Sequence, residues 1–124
     1  MSEMVSGKGA RRKGHNWERE VARMFREAMP GTPTFRGFQH RGGSEAADVE
    51  NPFFHIECKV GKKQNPRAAL KQAVDDCKPT SGKYAVAVIK DDQEQPGVPA
   101  NTFVVMPFPE FLELVHEWYE RGER

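Results

Sequence analysis

Long apolar runs are missing from this chain. None approaches the ~20 residues that a membrane-spanning helix needs. The opening MSEMVSGKGARRKGHN carries no apolar stretch of the secretory-leader kind. Cysteine is scarce, with only Cys58 and Cys77. Both lie in apolar patterns, which argues against a disulfide-built scaffold and predicts reduced thiols in a cytoplasmic setting. Zinc-ligand spacing among His and Cys is absent, and so is any internal repeat. What remains is 124 residues, 37% hydrophobic and 30% charged, enough for a single domain around one core.

The net charge of +1 hides an uneven distribution. Residues 1–26 hold seven Lys/Arg against three acids, residues 27–90 ten against seven, and residues 91–124 two against eight. A basic N-terminal and central part facing a polyanion fits this pattern, and so does a soluble protein with an acidic last helix. Residues 1–14, rich in Gly, Ser, Lys and Arg, predict a flexible basic arm. Residues 15–124 predict the domain proper.

Asn16 is a good N-cap for a first helix whose Trp17, Val21, Met24, Phe25 and Ala28 recur on one face. Pro30, Gly31 and Pro33 end it. A short strand and a Gly-rich loop follow, "TFRGFQHRGGSEA". Asn51-Pro52 signals a turn. Beyond it Phe54, Ile56, Cys58 and Val60 alternate with Phe53, His55, Glu57 and Lys59, the two faces of one strand. Asn65 and Pro66 open a second helix with Leu70, Ala73, Val74 and Cys77 inward. KYAVAVIK (83–90) is apolar on both faces, as a covered central strand should be. TFVVM is the next strand. Pro107 and Pro109 open a last helix with Phe111, Leu112, Val115, Trp118 and Tyr119 inward. The expected order is α-β-β-β-α-β-β-α, an α/β domain with a small mixed sheet flanked by helices.

The hairpin "ADVENPFFHIECKV" carries charges that a core strand does not need. Asp48 precedes the turn and Glu57 follows it, and cross-strand positions lie within roughly 5–8 Å. Two such carboxylates can share a Mg²⁺ ion, with the backbone carbonyl of Cys58 as a third oxygen ligand. Lys59 shares the face of Glu57, where its ammonium can orient a water and stabilise charge on a phosphate. Acid, acid and lysine around a hard cation form a phosphodiester hydrolysis site. The plain alternative is a solvated sheet face with a surface Glu–Lys pair.

ADV, a turn, then IECK resembles the PD-(D/E)xK nuclease signature, with Ala47 in place of the usual Pro. "RKGHNWEREVARMF", "RGGSEAADV" and "IECKV" together resemble the archaeal-type Holliday junction resolvases, from about Lys13 to Gln72. The resemblance implies a restriction-endonuclease-like fold. It also implies metal-binding roles for Asp48 and Glu57, a catalytic role for Lys59, a first-helix acid at Glu18 and a loop serine at Ser44. The helical wheel separately sets Glu18 beside Phe25, at the edge of the buried face, with Glu20 as the rival on the other flank. Gln72, His40 and His55 are weaker candidates near the site. Lys8, Arg11, Arg12, Lys13, Arg36, Arg41, Lys62 and Lys63 are candidate phosphate contacts.

The expected activity is Mg²⁺-dependent hydrolysis of branched DNA, most specifically four-way junctions, by direct attack of metal-activated water. Mn²⁺ should substitute. Two rivals remain: a nuclease acting on flaps or linear duplex, and a binding module without catalysis. Paired cuts on opposing strands need two sites, so a homodimer is expected, with possible surface between Phe103 and Tyr119.

Overall fold

The computed structural model describes residues 7–37, 47–92 and 101–122. The chain runs α1 (Gly7–Ala28), β1 (Phe35–Arg36), β2 (Val49–Glu50), β3 (Phe54–Gly61), α2 (Pro66–Asp76), a 3₁₀ turn (Pro79–Ser81), β4 (Tyr84–Asp91), β5 (Thr102–Val105) and α3 (Phe108–Glu120). The five strands form one mixed sheet in the order β1-β2-β3-β4-β5. β3 and β4 are parallel and linked by α2, while the other pairs are antiparallel. This is an α/β fold in the expected element order. No helix among the described residues is long and apolar enough to cross a membrane.

Alternation in β3 and β4 splits the interior into two cores. On one face Ile56, Cys58 and Val86 meet Trp17, Val21 and Ala22 of α1, together with Val49. Trp17 also donates its indole N–H to the Val88 carbonyl at 3.2 Å, tying α1 to β4. On the other face Ala85, Ala87 and Ile89 meet Ala69 and Ala73 of α2. Glu57 pairs with Ala87 across the ladder and therefore belongs to this second face.

Three expectations need correction. The first helix begins at Gly7, not Asn16, so residues 8–14 are helical instead of an irregular arm. Lys and Arg favour helix there, and Lys13 forms an ion pair with Asp92 that holds this stretch to the sheet. Asn16 caps nothing; its side chain accepts from Arg19 at 3.0 Å. In α2 the inward residues are Ala69 and Ala73, while Val74 is exposed and Leu70 and Cys77 are half-buried. Small alanines let the helix lie close on an alanine-lined sheet.

The third correction concerns α3. Phe111, Leu112, Val115, Trp118 and Tyr119 do not face inward; they are 40–55% exposed, and Phe108 is 68% exposed. The carboxylates take the inward side instead. Glu110 accepts from the Ala85 backbone N–H at 3.3 Å, and the Tyr84 hydroxyl donates to Glu113 and Glu117, each at 3.4 Å. Periodicity reveals that a helix has an apolar face, but not what the face meets.

Candidate active site

The turn between β2 and β3 is built by one side chain. Asn51, buried, accepts from the N–H groups of Phe53 and Phe54 at 2.8 and 3.1 Å and donates to the Thr34 hydroxyl at 2.8 Å. This fixes the register, with Val49 opposite Ile56 and Glu50 opposite His55. The Asp48 N–H donates to the Ile56 carbonyl at 3.0 Å, so Asp48 and Val49 both face Ile56 and the ladder bulges at Asp48. The bulge leaves the Asp48 side chain close enough to Glu57 for the two carboxyls to interact.

β2 has ended there, and the Asp48 side chain replaces the missing strand. Its Oδ2 accepts the Cys58 backbone N–H at 2.8 Å. A residue in a strand points its N–H and C=O to the same side, so the Cys58 carbonyl is directed toward Asp48 as well. Glycine is required beside this junction. The Gly37 N–H donates to the Asp48 carbonyl at 2.8 Å, and a Cβ on Gly37 would lie 2.2 Å from the Ala47 oxygen.

Glu57 is 1% exposed. Burial pushes its carboxyl up to about 7; the neighbouring Asp48 charge adds to this, while the His55 hydrogen bond opposes it. His55 Nε2 lies 3.0 Å from Glu57 Oε2, and Gln72 Nε2 of α2 donates to Glu57 Oε1 at 3.4 Å. A carboxylate pair of this kind strains against ionisation and is relieved by a cation. Asp48, Glu57 and the Cys58 carbonyl are oxygen donors, the kind of ligand that Mg²⁺ or Mn²⁺ takes. Among the described residues no group of three or more His, Cys, Asp and Glu side chains is placed to hold a metal ion. The set is two carboxylates and a carbonyl, consistent with an ion that keeps several waters. Lys59 follows on the same face of β3 as Glu57 and lies close enough for its charge to act on the Cys58 thiol.

Glu18 is buried at 6% exposure, whereas its rival Glu20 is exposed. Its carboxylate is held by Arg36 Nε at 3.0 Å. It lies on the α1 side of the sheet and reaches the Cys58 region as a negative field. It does not join Asp48 and Glu57 in a metal-holding group, because Arg36 engages it and Glu57 faces α2. Burial, reinforced by these acids, pushes the Cys58 thiol up, as for an unreactive core cysteine.

Lys8, Arg11 and Arg12 are exposed on the first turns of α1, and Lys62 and Lys63 on the loop after β3. Two candidate phosphate contacts have protein partners instead: Lys13 with Asp92 and Arg36 with Glu18. Ser44, Arg41 and His40 lie outside the described residues. A basic stripe was missed. Arg11, His15 and Arg19 recur every four residues on α1, and His15 is lowered by burial and then by Arg36, Arg19 and Arg11, with Asp48 opposing. The i,i+4 spacing was the available signal.

No protein-family model and no curated protein matches the chain.

Proposed function

We propose that the chain is a Mg²⁺-dependent DNA endonuclease with a restriction-endonuclease-like fold, acting on branched DNA and foremost on four-way junctions. The observation that carries this is the approach of the Asp48 carboxyl, at the bulge beside β2, to Glu57 on β3, with the Cys58 N–H donating to Asp48. Asp48, Glu57 and the Cys58 carbonyl would hold the ion. Bound there, Mg²⁺ supplies Lewis-acid stabilisation of phosphoryl oxygens and acidifies water.

The protein's own groups do the rest. The Cys58 N–H fixes the Asp48 carboxylate. Lys59 places its ammonium beside the phosphate, orients the attacking water and steadies the charge that builds on the oxygens. Water adds to phosphorus as the bond to the leaving sugar oxygen breaks, with no covalent enzyme intermediate. Lys8, Arg11, Arg12, Lys62 and Lys63 contact phosphates, joined by the His15 and Arg19 stripe. Such contacts read shape, not base edges.

The reading includes a homodimer through the outward face of α3 and the neighbouring sheet edge. Phe108, Phe111, Leu112, Val115, Trp118 and Tyr119 are exposed together, and β5 is the last strand in the sheet order. An aromatic side chain carries 150–250 Å² and about half of it is exposed here, so this face supplies part of the ~800 Å² per partner of a standard interface and the β5 edge, with Phe103 and Val104 exposed, extends it. The α3 carboxylates that bond to β4, Glu110, Glu113 and Glu117, lie on the sheet side of the helix.

The test offers labelled junction, flap and duplex together, across a Mg²⁺ titration, with mass measured by sedimentation. Paired nicks in the junction by a dimer, with Trp118→Glu monomeric, are expected. Metal-dependent cutting of flaps or duplex by a monomer defeats the junction reading. Binding without cleavage, or cleavage in excess chelator, defeats the nuclease reading.

A further inference from the structure

Glu57 is not alone in its buried position. His55, two residues earlier on the same face of β3, is also buried and brings Nε2 to 3.0 Å from Oε2. The two side chains are 7% and 2% exposed. Around them this face is lined by alanine and isoleucine from β4 and by alanine from α2. An aliphatic residue at position 55 would suit such a wall, whereas a buried imidazole brings polar atoms that must be satisfied. Gln72 approaches the other oxygen from α2, at a looser 3.4 Å.

We propose that His55 is a positioning residue. By holding Glu57 Oε2 it sets the carboxylate's rotation and leaves Oε1 turned to its ligand. This rests on the divalent-cation reading of the site. His55 acts through Glu57 and touches neither metal nor DNA. A carboxylate free to turn about its terminal torsion presents its oxygens over a broad range of angles. Mg²⁺ accepts ligands only in near-ideal octahedral geometry. A hydrogen bond that removes this freedom therefore appears directly in metal affinity. Groups that orient metal ligands in this way typically account for about 10–100-fold in affinity or activity.

The test uses the full chain with His55→Leu, which keeps apolar bulk without a donor, and His55→Gln, whose terminal amide reaches as far as Nε2. Mn²⁺ affinity is read from the free-ion resonance, and the Mn²⁺ needed for half-maximal DNA cleavage is read separately. Melting in chelator checks the fold. His55→Leu should bind Mn²⁺ about 10–100-fold more weakly, with cleavage recovering at saturating Mn²⁺. His55→Gln should lie within a few-fold of the parent. If the leucine variant does not fold, His55→Asn replaces it, because its shorter amide falls short of Glu57; equal Mn²⁺ affinity in the Asn and Gln variants overturns the proposal. So does unchanged affinity in His55→Leu, or a nitrogen coupling from His55 in the Mn²⁺ spectrum, which would make the ring a ligand. A parent protein that neither binds Mn²⁺ nor cuts DNA defeats the nuclease reading and this inference with it, a result distinct from those involving His55 alone.

Discussion

Replacing Glu57 with Gln in the metal-free protein isolates the electrostatic cost of the site. Glu57 has an ordinary value of 4.5 and is pushed up to about 7 in the fold, chiefly by burial. Between these values the folded chain holds a proton that the unfolded chain has released. Stability is therefore greatest below the ordinary value and falls as pH rises through about 7. The gap of roughly two and a half pH units, at about 1.4 kcal/mol each, corresponds to a loss on the order of 3 kcal/mol. Glu57→Gln keeps the side chain's shape and removes the titration. Urea unfolding in chelator at pH 5 and pH 8 measures the effect, and the difference between parent and variant cancels the titrating groups that do not touch Glu57. The parent should lose between about 2 and 3 kcal/mol more than the variant between the two conditions, since part of the loss has already occurred by pH 5, or roughly 10 °C in melting temperature for a domain of this size. Added Mg²⁺ should return most of that loss to the parent at pH 8 and little to the variant. Parallel pH profiles for the two proteins would refute the account of a buried, reluctantly ionised carboxylate.

Other perturbations probe other parts. Asp48→Asn should abolish cleavage while leaving DNA binding largely intact, since an amide oxygen still accepts from Cys58; Lys59→Ala should also abolish cleavage, and full activity in either sinks the assigned roles. Replacing Lys8, Arg11 and Arg12 with Ala should make the slope of log affinity against log salt shallower by up to roughly 3, at about 0.9 per phosphate contact, and an unchanged slope would show that these turns of α1 do not touch DNA. Gly37→Ala should destabilise the protein by about 1–3 kcal/mol and lower activity by shifting Asp48; a melt equal to that of the parent would show that the Ala47 backbone can yield.

The hairpin was legible because strict alternation from Phe54 to Val60 and the Asn51-Pro52 turn are both local signals. Asn65 and Pro66 likewise announce α2, and Asn65 accepts from the Ala68 N–H as an N-cap should. The nearness of Asp48 and Glu57 was readable from the hairpin, but the bulge that sets Asp48 against Ile56 was not, because nothing in the local pattern marks it. What escaped depends on distant partners. The start of α1 was hidden because Gly9 and Gly14 look like breakers, while the Lys13–Asp92 pair joins residues far apart in the chain. Glu18 was identified as inward-looking, but its capture by Arg36 spans eighteen positions and has no sequence signature. The face of α3 was readable and its direction was not, because nothing local says that Tyr84 and the Ala85 N–H will claim the carboxylates.

The turn at Asn51 also acts as a counting device. Paired positions across β2 and β3 have a constant sum up to Val49, and the bulge at Asp48 adds one residue to it, so what Asp48 meets is decided by how many residues lie between it and β3. One extra residue in the turn would slide β3 by one position against Asp48 and turn the side chain that now reaches it to the other face of the sheet. Two extra residues could restore the parity as a longer turn. The carboxylate meeting thus depends on an integer, and side-chain adjustment cannot make up a fraction of a step. Between Asp48 and Glu57 the chain can therefore change in length only by even steps.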